Sequence, residues 1–284
     1  MASQVDLHVH STASDGRLTP AEVVRKAAGL GLTVIALCDH DTVDGIPLAL
    51  EAAKTFPALA VIPGVEINTD VAAGEAHVLG YFIDCGHPEL QTNLANLRDS
   101  RESRAQRMIA KLRNLGLDID WERVKEIAGD GSIGRPHIAR ALLEKGYIGS
   151  IQEAFKKYIG FGMPAYAERE KIAPVEAARL ITRAHGFPVL AHPLTLKDPE
   201  TMIAELKANG LAGIEAYYFG YTPEQIKGLV KLAEKYRLIP TGGTDFHGLG
   251  MANEPTIGGI DVPLESARQL IALANQRNLR PAGH

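Results

Sequence analysis

The sequence predicts an α/β protein, a distorted β/α barrel that carries a helical insertion. Three observations point there. Strand-type and helix-type segments alternate at least six times along the 284 residues, so a parallel sheet with helices outside is the economical architecture. Histidine, aspartate or glutamate closes at least four of the strands. A single edge of an open sheet would not gather those ends, whereas a barrel converges them at its C-terminal mouth. From about residue 88 to 168 no convincing strand occurs, and that block reads as the insertion.

Val5, Leu7 and Val9 alternate with polar residues and predict the first strand. On it His8 and His10 share a face, because residues two apart do so in a strand. Asp15 follows on the next loop. Thr19-Pro20 supplies an N-cap and a first-turn proline for a helix over 21–30. Residues 32–37 are a continuous apolar run rich in branched side chains, as in a strand covered on both faces; it ends in Cys38-Asp39-His40-Asp41. A helix over about 47–55 leads to a strand over 60–66 that ends in Glu66, and 76–82 forms a strand bearing His77.

The insertion opens with a long helical pattern over 88–115, its apolar positions including Leu90, Leu94, Leu97, Met108 and Leu112. Shorter helices follow around 121–127, 136–145 and 151–158. The β/α rhythm returns with a helix over 174–184 and a strand over 188–191 that delivers His192. A helix over 199–208, a strand over 213–217 and a helix over 223–236 come next. The strand from Leu238 ends in Thr244-Asp245-Phe246-His247, and a short final strand over 258–262 precedes a closing helix over 264–278. Residues 1–87 and 169–284 therefore form the barrel, and 88–168 a cap contributing to substrate binding.

Hydrophobic residues make up 45% and charged residues 23%, enough for a core of ordinary size. A net charge of −4 gives the chain as a whole no electrostatic footprint for nucleic acid or an anionic membrane. Cys38 and Cys85 form no C-x-x-C, so neither a disulfide framework nor a zinc knuckle is indicated. No signal-peptide pattern precedes the first motif and no apolar run approaches membrane-spanning length. The expectation is a soluble, cytoplasmic protein with no membrane contact and no obligate protein partner.

The candidate site comprises His8, His10, Asp15, His40, Glu66, His77, His192, Asp245 and His247. A single histidine among them, such as His77, is more often a satisfied buried imidazole than a ligand. Nine polar groups in one barrel mouth cost several kcal/mol each unless something pairs them. Divalent cations are the natural partner.

The motifs D-L-H-V-H-S with Asp15, C-D-H-D around His40, G-V-E at 64–66, His77, A-H-P at 191–193 and T-D-F-H at 244–247 resemble those of the PHP family, the polymerase and histidinol phosphatase group near the amidohydrolases. The resemblance implies a distorted (β/α)7 barrel holding two or three divalent metal ions, manganese first, with zinc or iron as alternatives. It places His8, His10, Glu66 and Asp245 on one ion. Glu66 would bridge to a second ion completed by His77 and His192, and Asp15, His40 and His247 would hold a third. Asp15 stands where some relatives carry histidine, and its harder oxygen tilts that site towards manganese. Asp39 and Asp41 either orient imidazoles or cap the following helix. Paired ions about 4 Å apart can share a hydroxide and clamp a phosphoryl group. No G-x-S-x-G motif offers a rival nucleophile. Phosphoester hydrolysis is the leading reaction; a carbonyl substrate also fits the bare metal logic, and only the family resemblance disfavours it.

Arg98, Arg101, Arg104 and Arg107 recur every third residue on one slowly turning stripe of the insertion, which is either a solvated face or a substrate contact. Gly134-Arg135-Pro136-His137 opens a helix, and a helix N-terminus beside an arginine is a ready anion site. Arg101, Arg104, Arg107, Arg135 and His137 are the expected contacts to a second phosphate, with His137 also a candidate general acid. Within the family, stand-alone chains with G-R-P-H in a helical insertion resemble the 3′,5′-nucleoside bisphosphate phosphatases. That implies conversion of pAp to AMP and phosphate. Alternatives are a 5′–3′ exoribonuclease on short 5′-phosphorylated RNA, a histidinol-phosphate phosphatase, and an inactive metal-binding module. The full set of nine ligand positions argues against the last. Tyr158, Phe161, Tyr166, Tyr217 and Tyr218 are candidates to stack on a base or, equally, core residues.

Overall fold

Apolar side chains at the predicted strand positions are buried, and they pair into a single seven-stranded sheet whose order follows the chain. The computed structural model describes residues 4–71, 74–129, 131–168, 172–250 and 254–279. The strands are β1 (Val5–Val9), β2 (Val34–Leu37), β3 (Ala60–Val71), β4 (Gly74–Tyr81), β5 (Phe187–Leu190), β6 (Gly213–Tyr218) and β7 (Ile239–Gly243). The chain just beyond β7 returns to β1: Val9 bridges Phe246 in parallel, and the His10 N–H donates to the Phe246 carbonyl at 2.9 Å. The sheet is thus a nearly closed barrel.

Two expectations need correction. The sheet is not all parallel, because β4 runs antiparallel to both β3 and β5. The reason is connection length: parallel neighbours need a crossover of a dozen or more residues, whereas β3 and β4 are joined by a hairpin. Residues 258–262 form no strand. There Gly258 adopts a φ of 72° and its N–H goes to the Asp6 carboxylate at 2.8 Å, while β1 is already bridged by Phe246.

Asp6 is the polar pin of barrel closure. Wholly buried, it accepts from the Thr244 N–H at 3.0 Å, the Thr244 hydroxyl at 2.6 Å and the Gly258 N–H. Gly243 permits the same approach. A Cβ there would stand 2.5 Å from both the His8 Cβ and the His8 nitrogen, closer than real Cβ contacts come.

Six helices belong to the barrel: α1 (Pro20–Gly29), α2 (Ile46–Ala53), α7 (Pro174–Arg183), α8 (Pro199–Lys207), α9 (Pro223–Tyr236) and α10 (Leu264–Gln276). The start of α1 is fixed by a capping box in which Thr19 and Glu22 satisfy each other's backbone N–H. The insertion consists of α3 (Pro88–Asn114), α4 (Trp121–Ala128), α5 (Arg135–Glu144) and α6 (Ile151–Ala154), the last running into a π turn over Phe155–Ile159. Leu90, Leu94 and Leu97 of α3 join a barrel core, whereas Met108 and Leu112 further along pack with Val124, Ile138, Leu142 and Ile159. One helix therefore belongs to both cores and fixes the insertion against the barrel mouth. Among the described residues no helix is long and apolar enough to cross a membrane.

Gly243→Ala is expected to destabilise the protein by about 1–3 kcal/mol, the usual cost of overpacking. Gly29→Ala, with open space around the added carbon, should cost nothing in the same urea titration. Equal midpoints for the two variants would contradict the closure argument.

Candidate metal centre

Strand ends deliver the nine candidate residues to one place. His8 and His10 come from β1, and Asp15 from the loop after it. That loop is held by Asp39, whose carboxylate accepts from the Ser11 N–H at 2.7 Å and the Ser11 and Ser14 hydroxyls at 2.6 Å each. His40 follows β2, Glu66 lies in β3, and His77 projects from β4. His192 follows β5, and Asp245 and His247 follow β7. His192 and Asp245 have φ values of 27° and 53°. Non-glycine residues adopt such values at a cost, and they concentrate where a side chain must be aimed.

Glu66, wholly buried, is the hub. Its Oε2 lies 3.2 Å from His8 Nε2, 3.3 Å from His10 Nε2 and 2.9 Å from His40 Nδ1. Its Oε1 lies 2.7 Å from His77 Nδ1 and 3.2 Å from His192 Nε2. Asp245 Oδ1 stands 3.0 Å from His10 Nε2, and Asp15 Oδ1 stands 3.2 Å from His247 Nε2. Three groups have donor atoms close enough to share an ion: His8, His10, Glu66 and Asp245; His10, Asp15, His40 and His247; and His40, Glu66 and His77. The first matches the expected set. In the others His10 joins the Asp15 group and His40 joins Glu66 and His77, while His192 belongs to none of the three and meets Glu66 at the same oxygen, Oε1, as His77.

These donors fit a cation better than they fit each other. His8 Nε2, His10 Nε2, Asp15 Oδ1, Glu66 Oε2 and Asp245 Oδ1 are all buried without a hydrogen-bond partner. They approach at ion-pair distances but not at hydrogen-bonding angles, so their lone pairs face common space. Buried polar atoms of a native protein are nearly always satisfied, and five orphans at one point call for a metal. Imidazole plus carboxylate suits Zn, Mn or Fe. Burial alone would raise the pKa of Glu66, but the surrounding His40, His8 and His77 rings outweigh it and hold the carboxyl well below its usual range. Asp15 and Asp245 are lowered in the same way, by His40 and by His8 first among their neighbours. The carboxylates are therefore ionised, as ligands must be.

Several functional residues escaped the sequence reading. Glu215 of β6 is wholly buried; one oxygen lies 3.0 Å from His8 Nδ1 and the other accepts from the His192 N–H at 2.7 Å. A bond from His8 Nδ1–H to Glu215 leaves the Nε2 lone pair facing the cluster. The available signal was a lone carboxylate inside an otherwise apolar strand. Asn68 Nδ2 contacts His40 Nδ1 at 2.9 Å, and the Tyr218 hydroxyl donates to Asp245 Oδ2 at 3.0 Å. Asp39 holds the Ser11–Ser14 turn, Asp41 accepts from Arg101 and the Asn68 N–H, and the cap of α2 is Gly45.

Of the arginines, Arg101, Arg104 and Arg135 line a cleft of about 140 Å³ together with Asp15, His40, His77 and His247. Arg101 donates through Nε to Asp41 at 2.6 Å, while its Nη2 is buried without a partner. Arg135 pairs with Glu75 at 2.7 Å, and Arg104 donates to the Ala167 carbonyl at 2.9 Å. Arg107 lies elsewhere, lining a separate surface hollow and donating to the Glu168 carbonyl at 2.6 Å. A helix turns by 100° per residue, so a three-residue repeat drifts off any one face. His137 caps α5: its Nδ1 accepts from the Gly134 N–H at 3.0 Å. Burial pushes its pKa down to about 4, so the ring is uncharged at neutral pH and suited to capping rather than to protonating a leaving group. Of the aromatic candidates, Tyr158 packs on the insertion core, Tyr217 on barrel cores, and Phe161 against Tyr166. Only Tyr218 reaches the candidate ligands.

The barrel and its mouth define a metal-dependent phosphoesterase. The chain belongs to the PHP family, whose domain model matches residues 6–145. A 5′–3′ exoribonuclease of Haemophilus influenzae is 38% identical over 251 residues, 87% of this chain and 91% of that protein. A 3′,5′-nucleoside bisphosphate phosphatase of Chromobacterium violaceum is 30% identical over 285 residues, 99% of each chain. Among solved structures, a protein described as a metal-dependent phosphoesterase from Bifidobacterium adolescentis has a TM-score of 0.87 at 30% identity, covering 96% of both chains.

Glu66→Gln should remove most bound divalent metal, read by elemental analysis of the purified protein; full metal content would refute the hub role. Glu215→Ala should weaken manganese binding by about 10- to 100-fold, the usual effect of losing a carboxylate that orients a ligand histidine. A chelator-competition titration with unchanged affinity would contradict it.

Proposed function

We propose that the protein hydrolyses the phosphoester at the 3′ position of nucleotides that carry a 5′-phosphate, with nucleoside 3′,5′-bisphosphates such as pAp converted to AMP and phosphate. One observation carries this reading: a cleft walled by three arginines adjoins the histidine–carboxylate cluster, and Arg101 aims a buried, unpartnered Nη2 donor. An anion beside the one being cleaved answers that donor.

His8, His10, Glu66 and Asp245 would hold one ion, Glu66, His77 and His192 a second, and Asp15, His40 and His247 a third, with manganese the expected metal. Bound divalent ions of this kind lower the pKa of water towards neutrality and offset phosphoryl charge. The protein's own groups do the rest. Glu215 fixes the tautomer of His8, and Tyr218 orients Asp245. Arg101 and Arg135 are held in place by Asp41 and Glu75. A guanidinium has five donors, so those pairs leave others for a 5′-phosphate. Residues 88–168 act as the cap that supplies this anchor.

A second reading is 5′–3′ removal of nucleotides from short 5′-phosphorylated RNA. It breaks the same P–O3′ bond, the phosphoryl group carrying a further nucleoside. The similarity to the Haemophilus influenzae exoribonuclease favours it, as does an open groove of about 690 Å³ against Asp245 and His247.

Arg101→Ala or Arg135→Ala should raise KM for pAp by about tenfold or more, as expected for a lost charge-assisted hydrogen bond. Histidinol phosphate, with its single phosphate, should be little affected. Equal effects on the two substrates, in steady-state assays with manganese, would refute the anchor.

A further inference from the structure

The groove against Asp245 and His247 differs in character from the arginine cleft. Phe155, Phe219, Leu249 and Pro136 give it apolar walls, and Lys156 stands at its edge. Phe219 is 38% exposed, one of few large apolar side chains left in solvent. Among the described residues, the one carboxylate besides Asp245 that lines the groove is Glu254, which is engaged by the N–H groups of Leu249 and Gly250 at 2.7 Å each. The two spaces share His247, Pro136 and Phe155. Asp15, His40 and His77 line only the cleft, and Thr244 and Asp245 only the groove. The ligand cluster therefore lies between them.

We infer that this groove seats the downstream nucleotide of a 5′-phosphorylated RNA, its base stacked on Phe219. The inference rests on the proposed cleavage of a 3′-phosphoester with the 5′-phosphate in the arginine cleft. A chain anchored there runs through its 3′ oxygen to the scissile phosphate and can continue only on the far side of the cluster. A bisphosphonucleoside has nothing to place there, so an apolar groove of this size is surplus to a pure bisphosphatase. Aromatic stacking tolerates any base, which suits an enzyme that must accept each nucleotide in turn, and Lys156 offers a cation to the next phosphate.

The chemistry balances. Water adds to phosphorus, the P–O3′ bond breaks, and the 3′ oxygen leaves with a proton as part of a 5′-mononucleotide. The phosphoryl group stays on the downstream nucleoside as a new 5′-phosphate. The shortened chain thus carries the group that the arginine cleft binds, and the cycle can repeat.

The test compares three substrates on the full-length protein with manganese: pAp, its 3′-phosphate methyl ester, and the dinucleotide pApA. The wild type should cleave pApA with a kcat/KM about tenfold or more above the methyl ester, the scale of one base stack. Phe219→Ala should erase that advantage, Phe219→Trp should keep it, and pAp turnover should be unchanged in both. If pApA is no better than the methyl ester in the wild type, the groove assignment falls while cleavage of pAp stands. If Phe219→Ala slows all three equally, the groove holds the 5′ nucleotide's own base and the assignment is overturned. Failure to hydrolyse any of the three would overturn the underlying reading and the groove's role with it.

Discussion

Nine polar side chains meet at the mouth of this barrel, and six of their atoms, His10 Nδ1 included, are buried with no hydrogen-bond partner. A protein can tolerate such a cluster only if something outside the chain compensates it, because each uncompensated buried polar group costs on the order of 1–3 kcal/mol. Glu66 makes the constraint concrete, with five imidazoles drawn around one carboxylate on a central strand. Much of the architecture serves that convergence. The left-handed backbone at His192 and Asp245 aims side chains that an ordinary strand end would scatter. Glu215, Asn68 and Tyr218 then hold individual ligands from behind.

Barrel closure and site assembly are one event. Asp6 gathers donors from Thr244 and Gly258, and Gly243 lets β7 lie against His8. Asp245 and His247 follow directly on that seam, so a barrel that failed to close would lose two candidate ligands. The insertion is tied in as firmly. The first turns of α3 are barrel core, Arg101 reaches Asp41, and Arg135 reaches Glu75 on β4. The basic cleft is therefore a property of the interface between insertion and barrel, with its cations fixed by carboxylates of the barrel.

Most of the fold was legible in the sequence because periodicity, proline and capping residues speak locally. The Thr19 N-cap and Pro20 at the start of α1 and the long apolar repeat of α3 are of that kind. The direction of β4 was not legible, since strand polarity depends on the length of a connection whose end residues look alike in a hairpin and in a short crossover. The segment 258–262 has strand-like composition, but the edge of β1 is already bridged by Phe246, and only the closed sheet reveals that. All nine candidate ligands were visible because they are chemically unusual residues at strand ends. Glu215 and Asp6 were not, because a carboxylate within a strand declares its partners only in three dimensions. The arginine repeat overstated the stripe: Arg101 and Arg104 face the cleft, and Arg107, a turn further on, does not.

The account joins a metal centre to a phosphate anchor, and its most direct test is the ratio of kcat/KM for pAp to that for 3′-AMP, which presents the same scissile group without the 5′-phosphate. With manganese present the account predicts a strong preference for pAp, on the order of tenfold or more for each charge-assisted contact made to the 5′-phosphate. Equal rates on the two nucleotides would contradict it.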